Sequence, residues 1–230
     1  MFTPNSFGTT IDTVQRKKRI TFYTIFVCGL LVVPAFTEVI RCLTTAIVFS
    51  VEHHPNFHVI ANVLNAIYIF CFLLPLLIAY WFCYFLWLIR LWEEVPRHFA
   101  RTTPEVAAGL SLVPFFNWYW MFVALGGLYR DMNRVLEACG YSRRFNTTLV
   151  FVSCFIWLAY NLLVLMYIIV GSVLMVVVPT FKLFDTTADI VGCILGGLWC
   201  LFTILIYWLI RKNVLEFMDI KSNFPPEPEV

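Results

Sequence analysis

Long uncharged runs, separated by short charged stretches, dominate the pattern of this chain. Five runs contain no Asp, Glu, Lys or Arg, and they cover residues 20–37, 59–89, 106–129, 145–181 and 190–210. A helix of about 20 apolar residues crosses the roughly 30 Å hydrocarbon core of a bilayer, and each run approaches or exceeds this length. The pattern therefore predicts an all-α integral membrane protein.

The distribution of Lys and Arg decides between four and five membrane spans. If the run at 106–129 enters and leaves the membrane on one side, 14 of the 16 basic residues share a side, with only Arg41 and Lys182 opposite. If that run crosses, eight basic residues lie on each side. Because basic residues favour the cytoplasmic side, we predict four transmembrane helices with both termini in the cytoplasm. The predicted spans are at about 20–41, 59–90, 147–178 and 190–210.

The run at 106–129 is predicted to form a re-entrant or interfacial segment broken by a proline. Thr103 can cap a helix and Pro104 suits its first position, so a helix should begin here. Pro114 lacks an amide hydrogen and interrupts helical hydrogen bonding. The resulting predicted organisation is an N-terminal tail at 1–19, a re-entrant segment at 104–128, a cytoplasmic helix at 129–140 and a C-terminal tail at 211–230. Gly140 suits the end of the cytoplasmic helix.

Composition excludes several classes of protein. The chain is 61% hydrophobic and 13% charged, whereas a soluble domain is about half apolar and a quarter charged. The eight cysteines are scattered without a C-x-x-C pair, so the sequence indicates no disulfide framework or zinc site. The predicted spans carry no ionisable residue deep within them, which argues against a pump or coupled transporter.

A polar strut is the predicted role of Pro114, Asn117 and Asn161. Asn117 lies among aromatic residues beside Pro114, and a buried amide is costly unless it is paired. It can bond backbone groups freed at the proline, or Asn161 and Tyr160 of the third predicted span. The alternative interpretation is a polar point in a translocation path.

Two further groups of residues suggest contacts with lipid and with other helices. Arg130, Arg134, Arg143 and Arg144 follow the proline-broken segment and are predicted to contact anionic lipid head groups as well as to anchor the topology. The last span contains Gly192, Gly196 and Gly197, a spacing typical of closely packed membrane helices.

A metal site is weakly suggested between the first two predicted spans. Glu52, His53, His54 and His58 place one carboxylate and three imidazoles within seven residues. Pro55 breaks the helix that would bring His54 and His58 onto one face. The favoured interpretation is a polar external turn without metal, and we expect no cofactor.

The stretch from Thr103 to Arg144 resembles a motif of small bacterial membrane proteins. In that family a T-P start leads to P-F-F-N-x-Y-W-x-F, a small turn and a polar helix. This chain has the matching residues Pro114, Phe115, Phe116, Asn117, Tyr119, Trp120 and Phe122, then Gly127-Leu128 and Asp131-Met132-Asn133. The likeness is to multispan proteins of unknown function, some fused to GYF-like or zinc-ribbon modules, which are not expected here. It implies fold and a location in the bacterial inner membrane, but no activity.

The sequence favours a non-enzymatic membrane protein, since no acid, base and nucleophile set converges. We expect an accessory, scaffold or assembly subunit whose partners are membrane lipids and other membrane subunits or copies of itself, and no nucleic acid. Two alternatives are open at this stage. One is an oligomeric channel lined by the re-entrant segment, and the other is a membrane enzyme acting on lipid.

Overall fold

The computed structural model describes residues 10–49, 67–113, 116–177 and 182–222, and these residues form helices and connecting loops with no strand. The α-helices whose bounds the described residues give are α1 Thr10–Phe49, α2 Leu74–Trp92, α3 Pro104–Gly109, α4 Phe116–Ala138, α5 Thr147–Val177 and α6 Lys182–Ser222. A π-helical turn, Ile69–Leu73, precedes α2, and a 3₁₀ turn, Leu110–Leu112, follows α3.

In the described part of the chain, three helices are long and apolar enough to cross a membrane. These segments are Phe70–Trp92, Thr147–Met166 and Ile194–Ser222, with mean hydropathies of 2.1, 2.3 and 1.8. They correspond to the second, third and fourth predicted spans, although the beginning of the second span falls on residues 59–66, outside the described part of the chain. The first predicted span, 20–41, lies within α1, and its crossing of the membrane stays a prediction.

Both predicted tails are partly helical in the structure. α1 already begins at Thr10, and α6 continues to Ser222. The extension of α6 is explained by apolar residues at helical spacing, because Val214, Phe217 and Met218 are all buried. Sequence reasoning missed this second half of an amphipathic helix since charged residues separate its apolar positions.

The chain divides into two compact units. The first unit contains described residues 10–27, 82–113, 116–155 and 205–222. The second unit contains described residues 28–49, 67–81, 156–177 and 182–204. The whole of α3 and α4, and with them the proline-broken segment, belongs to the first unit.

Large aromatic side chains form the core of the first unit. Trp87 is fully buried, and its ring centroid lies 4.8 Å from that of Tyr207 and 5.8 Å from that of Tyr84. The Trp87 indole N–H donates to the Thr24 hydroxyl at 2.9 Å, so its one polar atom is satisfied. This cluster joins α1, α2 and α6 within the unit.

The start of the proline-broken segment is confirmed as a capped helix. The Thr103 hydroxyl accepts a hydrogen bond from the Val106 amide at 3.3 Å, and Pro104 is the first residue of α3. The Trp120 indole then donates to the Ala107 carbonyl at 2.8 Å, which ties α4 back to α3. Immersion of this segment in a membrane stays a prediction.

The predicted cytoplasmic helix at 129–140 is not a separate element. It is the second part of α4, which runs unbroken through the two central glycines. Gly126 allows a close approach here, since an added Cβ would lie 2.7 Å from the Phe151 ring. The predicted helix end is confirmed by Gly140, whose φ of 73° is in the left-handed region that favours glycine.

Candidate functional site

Of the three residues of the predicted strut, the structure describes Asn117 and Asn161. Asn117 is buried in the first unit, its backbone amide donates to the Val113 carbonyl at 2.9 Å, and its side-chain oxygen has no partner among the described residues. In the second unit the Asn161 amide donates to the Trp157 carbonyl at 2.7 Å. Pro114 lies outside the described residues, so a bond from Asn117 to the proline break or to Asn161 stays a prediction.

Three of the four predicted lipid-contacting arginines are paired with carboxylates. Arg134 Nη1 lies 3.5 Å from Asp131, Arg144 Nη2 lies 3.1 Å from Glu137, and Arg143 forms an ion pair with Glu216. Arg130 instead lies over the Phe151 ring, with its guanidinium carbon 5.1 Å from the centroid. These carboxylates offset the positive charge that an anionic head group would need, and the predicted lipid contact itself stays a prediction.

The three glycines of α6 differ in their surroundings. A Cβ added at Gly196 would lie 3.7 Å from the Tyr160 hydroxyl, in ordinary contact. At Gly192 and Gly197 an added Cβ would meet nothing within 4 Å in the described part of the chain. Gly196 therefore faces a side chain within the second unit, whereas Gly192 and Gly197 present open backbone, and close helix packing at the three glycines stays a prediction.

The weak metal candidates Glu52, His53, His54 and His58 lie outside the described residues. In the part of the chain that the structure does describe, no group of three His, Cys, Asp or Glu side chains is placed to hold a metal ion.

Asp131 is a buried carboxylate that sequence reasoning did not single out. Its side chain is fully buried, and Oδ2 accepts the Arg101 backbone amide at 3.0 Å. Its Oδ1 lies 3.3 Å from Arg101 Nε and 3.5 Å from Arg134 Nη1, as ion pairs without hydrogen-bond geometry. The acid therefore holds the loop before α3 against α4. The i,i+3 spacing of Asp131 and Arg134 was the available signal.

Glu94 is the second buried carboxylate and lies just after α2. Burial raises the pKa of this carboxyl above its usual value. The positive charges of Arg16, whose Nη1 is 3.9 Å from Glu94 Oε2, and of Lys221 oppose that rise. The Lys221 ammonium also donates to the Glu94 backbone carbonyl at 3.1 Å, which connects the end of α6 to the loop after α2.

Two asparagines secure the loop after α4 and the last turns of α6. Asn133 makes a two-way pairing with the Phe145 backbone, donating to its carbonyl at 2.9 Å and accepting from its amide at 2.7 Å. Asn213 donates to the Tyr129 hydroxyl at 2.8 Å. Burial raises the pKa of Tyr129 to about 12 despite this bond. All four residues thus serve the packing of the first unit.

An open groove of about 500 Å³ lies in the first unit between α1 and α2. It is lined by Lys18, Arg19, Phe22, Tyr23 and Arg90. The sequence analysis used Lys18, Arg19 and Arg90 only to predict which ends of the membrane spans lie in the cytoplasm. Their convergence in one groove depends on how α1 packs against α2, which residue spacing within either helix does not reveal.

Comparison of the chain with protein-family models, with curated proteins and with solved structures gives no match. The fold therefore defines its class, which over the described residues is an all-helical protein with three helices long and apolar enough to cross a membrane.

Proposed function

We propose that this chain is a non-enzymatic, membrane-embedded accessory or scaffold protein that acts through contacts with other helices and with lipid. The observation that carries the proposal is that the buried carboxylates make structural contacts within the protein. Both buried carboxylates of the first unit, Glu94 and Asp131, lie in contacts that hold its helices and loops together. Large aromatic side chains, such as Trp87 and Trp92, are buried in the core of the same unit.

Exposed apolar surface supports a role in contacts outside the chain. In the second unit Leu163 of α5 is 68% exposed, and Leu198 and Leu201 of α6 are 58% and 60% exposed. Covering such side chains with lipid or protein is favourable, and an extended apolar surface marks contacts of this kind. Gly192 and Gly197 lie on the same helix, and their open backbone suits close approach by another membrane helix.

Native mass spectrometry of protein extracted from its own membrane in mild detergent tests the proposal. Wild-type protein should be found in an assembly heavier than one chain with bound lipid. Gly192→Leu should shift it toward the single chain, since the new side chain blocks close approach. Gly29→Leu is the matched control, because Gly29 also has nothing within 4 Å of an added Cβ but lacks the Gly-x-x-x-Gly spacing of Gly192 and Gly196. A single chain for wild type, or equal loss of assembly in both variants, would contradict the proposal.

An oligomeric channel lined by residues 104–128 is the second candidate function. The observation that favours it is the buried Asn117 side-chain oxygen, which has no partner among the described residues. Against it stand the bulky aromatic residues of the same segment, which exclude water. Purified protein in planar bilayers should show no conductance above background. Reproducible single-channel steps altered by Asn117→Leu would instead place the channel first.

A further inference from the structure

The groove between α1 and α2 concentrates positive charge that the rest of the first unit does not neutralise. Residues 16 to 19 are four consecutive basic residues, but only the first two are paired with carboxylates in the described part of the chain. Arg16 pairs with Asp12 at 3.0 Å and also faces Glu94, and Lys17 pairs with Asp219. Lys18 and Arg19, by contrast, have no carboxylate partner among the described residues, and both line the groove.

Arg90 completes the basic lining from the other helix. Its Nη1 donates to Glu93 Oε2 at 2.7 Å and to Oε1 at 3.0 Å. The Glu93 carboxylate offsets one of the three positive charges, so the groove keeps a net charge of about +2. A fixed guanidinium beside two unpaired cations suits an anion with several oxygens, such as a phosphate.

The groove is continuous with apolar surface on α1. Phe22 lines it and is 61% exposed, and Phe22 stacks on Phe26 with ring centroids 5.9 Å apart. Ile25 and Phe26 are also exposed, at 56% and 47%. A free anion would use only the basic side chains, whereas a lipid would use both the basic lining and the adjoining aromatic surface.

The position of the groove along the helices suits a membrane surface. Lys18 and Arg19 directly precede the first uncharged run, and Arg90 lies near the end of the span Phe70–Trp92. Charged head groups meet acyl chains at this level of a bilayer, and basic residues there attract anionic lipids.

We propose that this groove is a binding site for one anionic phospholipid. Lys18, Arg19 and Arg90 bind the phosphate of the head group, and an acyl chain lies along Phe22, Ile25 and Phe26. The proposal rests on the membrane-embedded part of the proposed function. It is independent of whether the protein assembles with other chains.

Native mass spectrometry of the full chain with added lipid tests the site. The probes are phosphatidylglycerol and, as the uncharged comparison, phosphatidylcholine, each titrated into delipidated protein. Wild type should bind one phosphatidylglycerol more tightly than any further copies, and more tightly than phosphatidylcholine. Lys18→Gln with Arg19→Gln should weaken that first binding on the order of tenfold or more, because each basic residue near an anionic surface contributes about 1 kcal/mol.

The matched control removes two cations from elsewhere in the same unit. Arg97→Gln with Lys212→Gln changes net charge equally at two exposed residues outside the groove, so the first lipid should bind as in wild type. Lys18→Arg with Arg19→Lys keeps the charge and should retain binding, which attributes a loss in the Gln variant to charge when both variants are equally monodisperse. If the double Gln variant is not monodisperse, Arg19→Gln alone should give part of the same loss.

Several outcomes would overturn the proposal. Equal weakening in the groove and control variants would mean a diffuse effect of net charge. Equal binding of phosphatidylcholine would mean that the head-group charge is not recognised. Complete displacement of phosphatidylglycerol by millimolar inorganic phosphate would identify the groove as a site for the free anion. The scaffold proposal is tested by the assembly mass of Gly192→Leu, and the lipid site is tested by lipid binding. Because the two measurements are separate, the failure of one proposal can be told from the failure of the other.

Discussion

The two units of this protein bury their side chains to very different extents. The first unit contains nearly all the buried side chains of the described residues, including Trp87, Trp92 and Phe217. In the second unit the structure describes the side chains of residues 28–33, 67–68, 70–81, 156–166, 169–170, 192 and 194–204, and among these Leu31 and Thr203 are buried. The first unit also has ion pairs between its helices, whereas the second unit is almost uncharged along α5 and α6.

The physical reason for the difference is the number of elements available to cover each core. The first unit adds α3 and α4 to segments of α1, α2, α5 and α6, so its aromatic residues have neighbours on several sides. The second unit has only stretches of long apolar helices, whose exposed Leu residues are favourable in lipid. Between helices in a bilayer the hydrophobic effect gives little drive to associate. We therefore infer that the first unit determines the stability of the chain.

The largest expected effect is the loss of an aromatic side chain from the first unit. Trp87→Ala should lower the free energy of unfolding by about 3–5 kcal/mol, because it leaves a cavity and removes the bond to Thr24. Thermal unfolding of the detergent-solubilised protein measures this loss. Leu201→Ala in the second unit is the control and should stay within about 0.5 kcal/mol. Similar losses at both sites would refute the contrast between the units.

A smaller effect is expected from the buried carboxylate of α4. Asp131→Leu should cost about 2 kcal/mol, since it removes the acceptor of the Arg101 amide and the partner of two arginines. Glu137→Leu removes a pair with Arg144 in which both side chains are about 60% exposed, and it should cost less than about 1 kcal/mol. Comparing the unfolding of the two variants checks this. A larger loss at Glu137 would show that surface pairs hold the loops.

The smallest effect concerns the dependence of stability on pH. Because burial raises the pKa of Glu94 in the folded state, the folded protein binds its proton more tightly than the unfolded chain does. The contribution of this group should therefore become less favourable as pH rises above about 4.5, its ordinary value. Glu94→Gln, which cannot ionise, should gain stability relative to wild type between pH 4.5 and 7.

Arg16 provides an internal check on that pH effect. Its positive charge opposes the rise in the pKa of Glu94, so Arg16→Gln should make the total fall of stability with rising pH larger than in wild type. Unfolding midpoints of wild type and both variants, measured across the same pH range, test the two statements together. A Glu94→Gln variant that loses stability relative to wild type at pH 7 would show that the ion pair outweighs burial.

Local signals in the sequence were sufficient for the helical class and for several helix boundaries. Long uncharged runs indicated the three helices able to cross a membrane. Thr103 and Pro104 predicted the beginning of α3, and Gly140 predicted the end of α4. These features depend on residues that are close in sequence, such as a cap or a glycine with positive φ, and so they can be recognised from the sequence alone.

Contacts between distant residues were decided only by tertiary structure. The sequence does not show that residues 211–222 extend α6 into the core of the first unit, or that Asn213 meets Tyr129. It also does not distinguish arginines paired with carboxylates, such as Arg143, from Lys18 and Arg19, which line a groove. The charge of each residue follows from its type, but its neutralisation depends on which helices pack together. Hydrophobic patterning alone does not specify that packing.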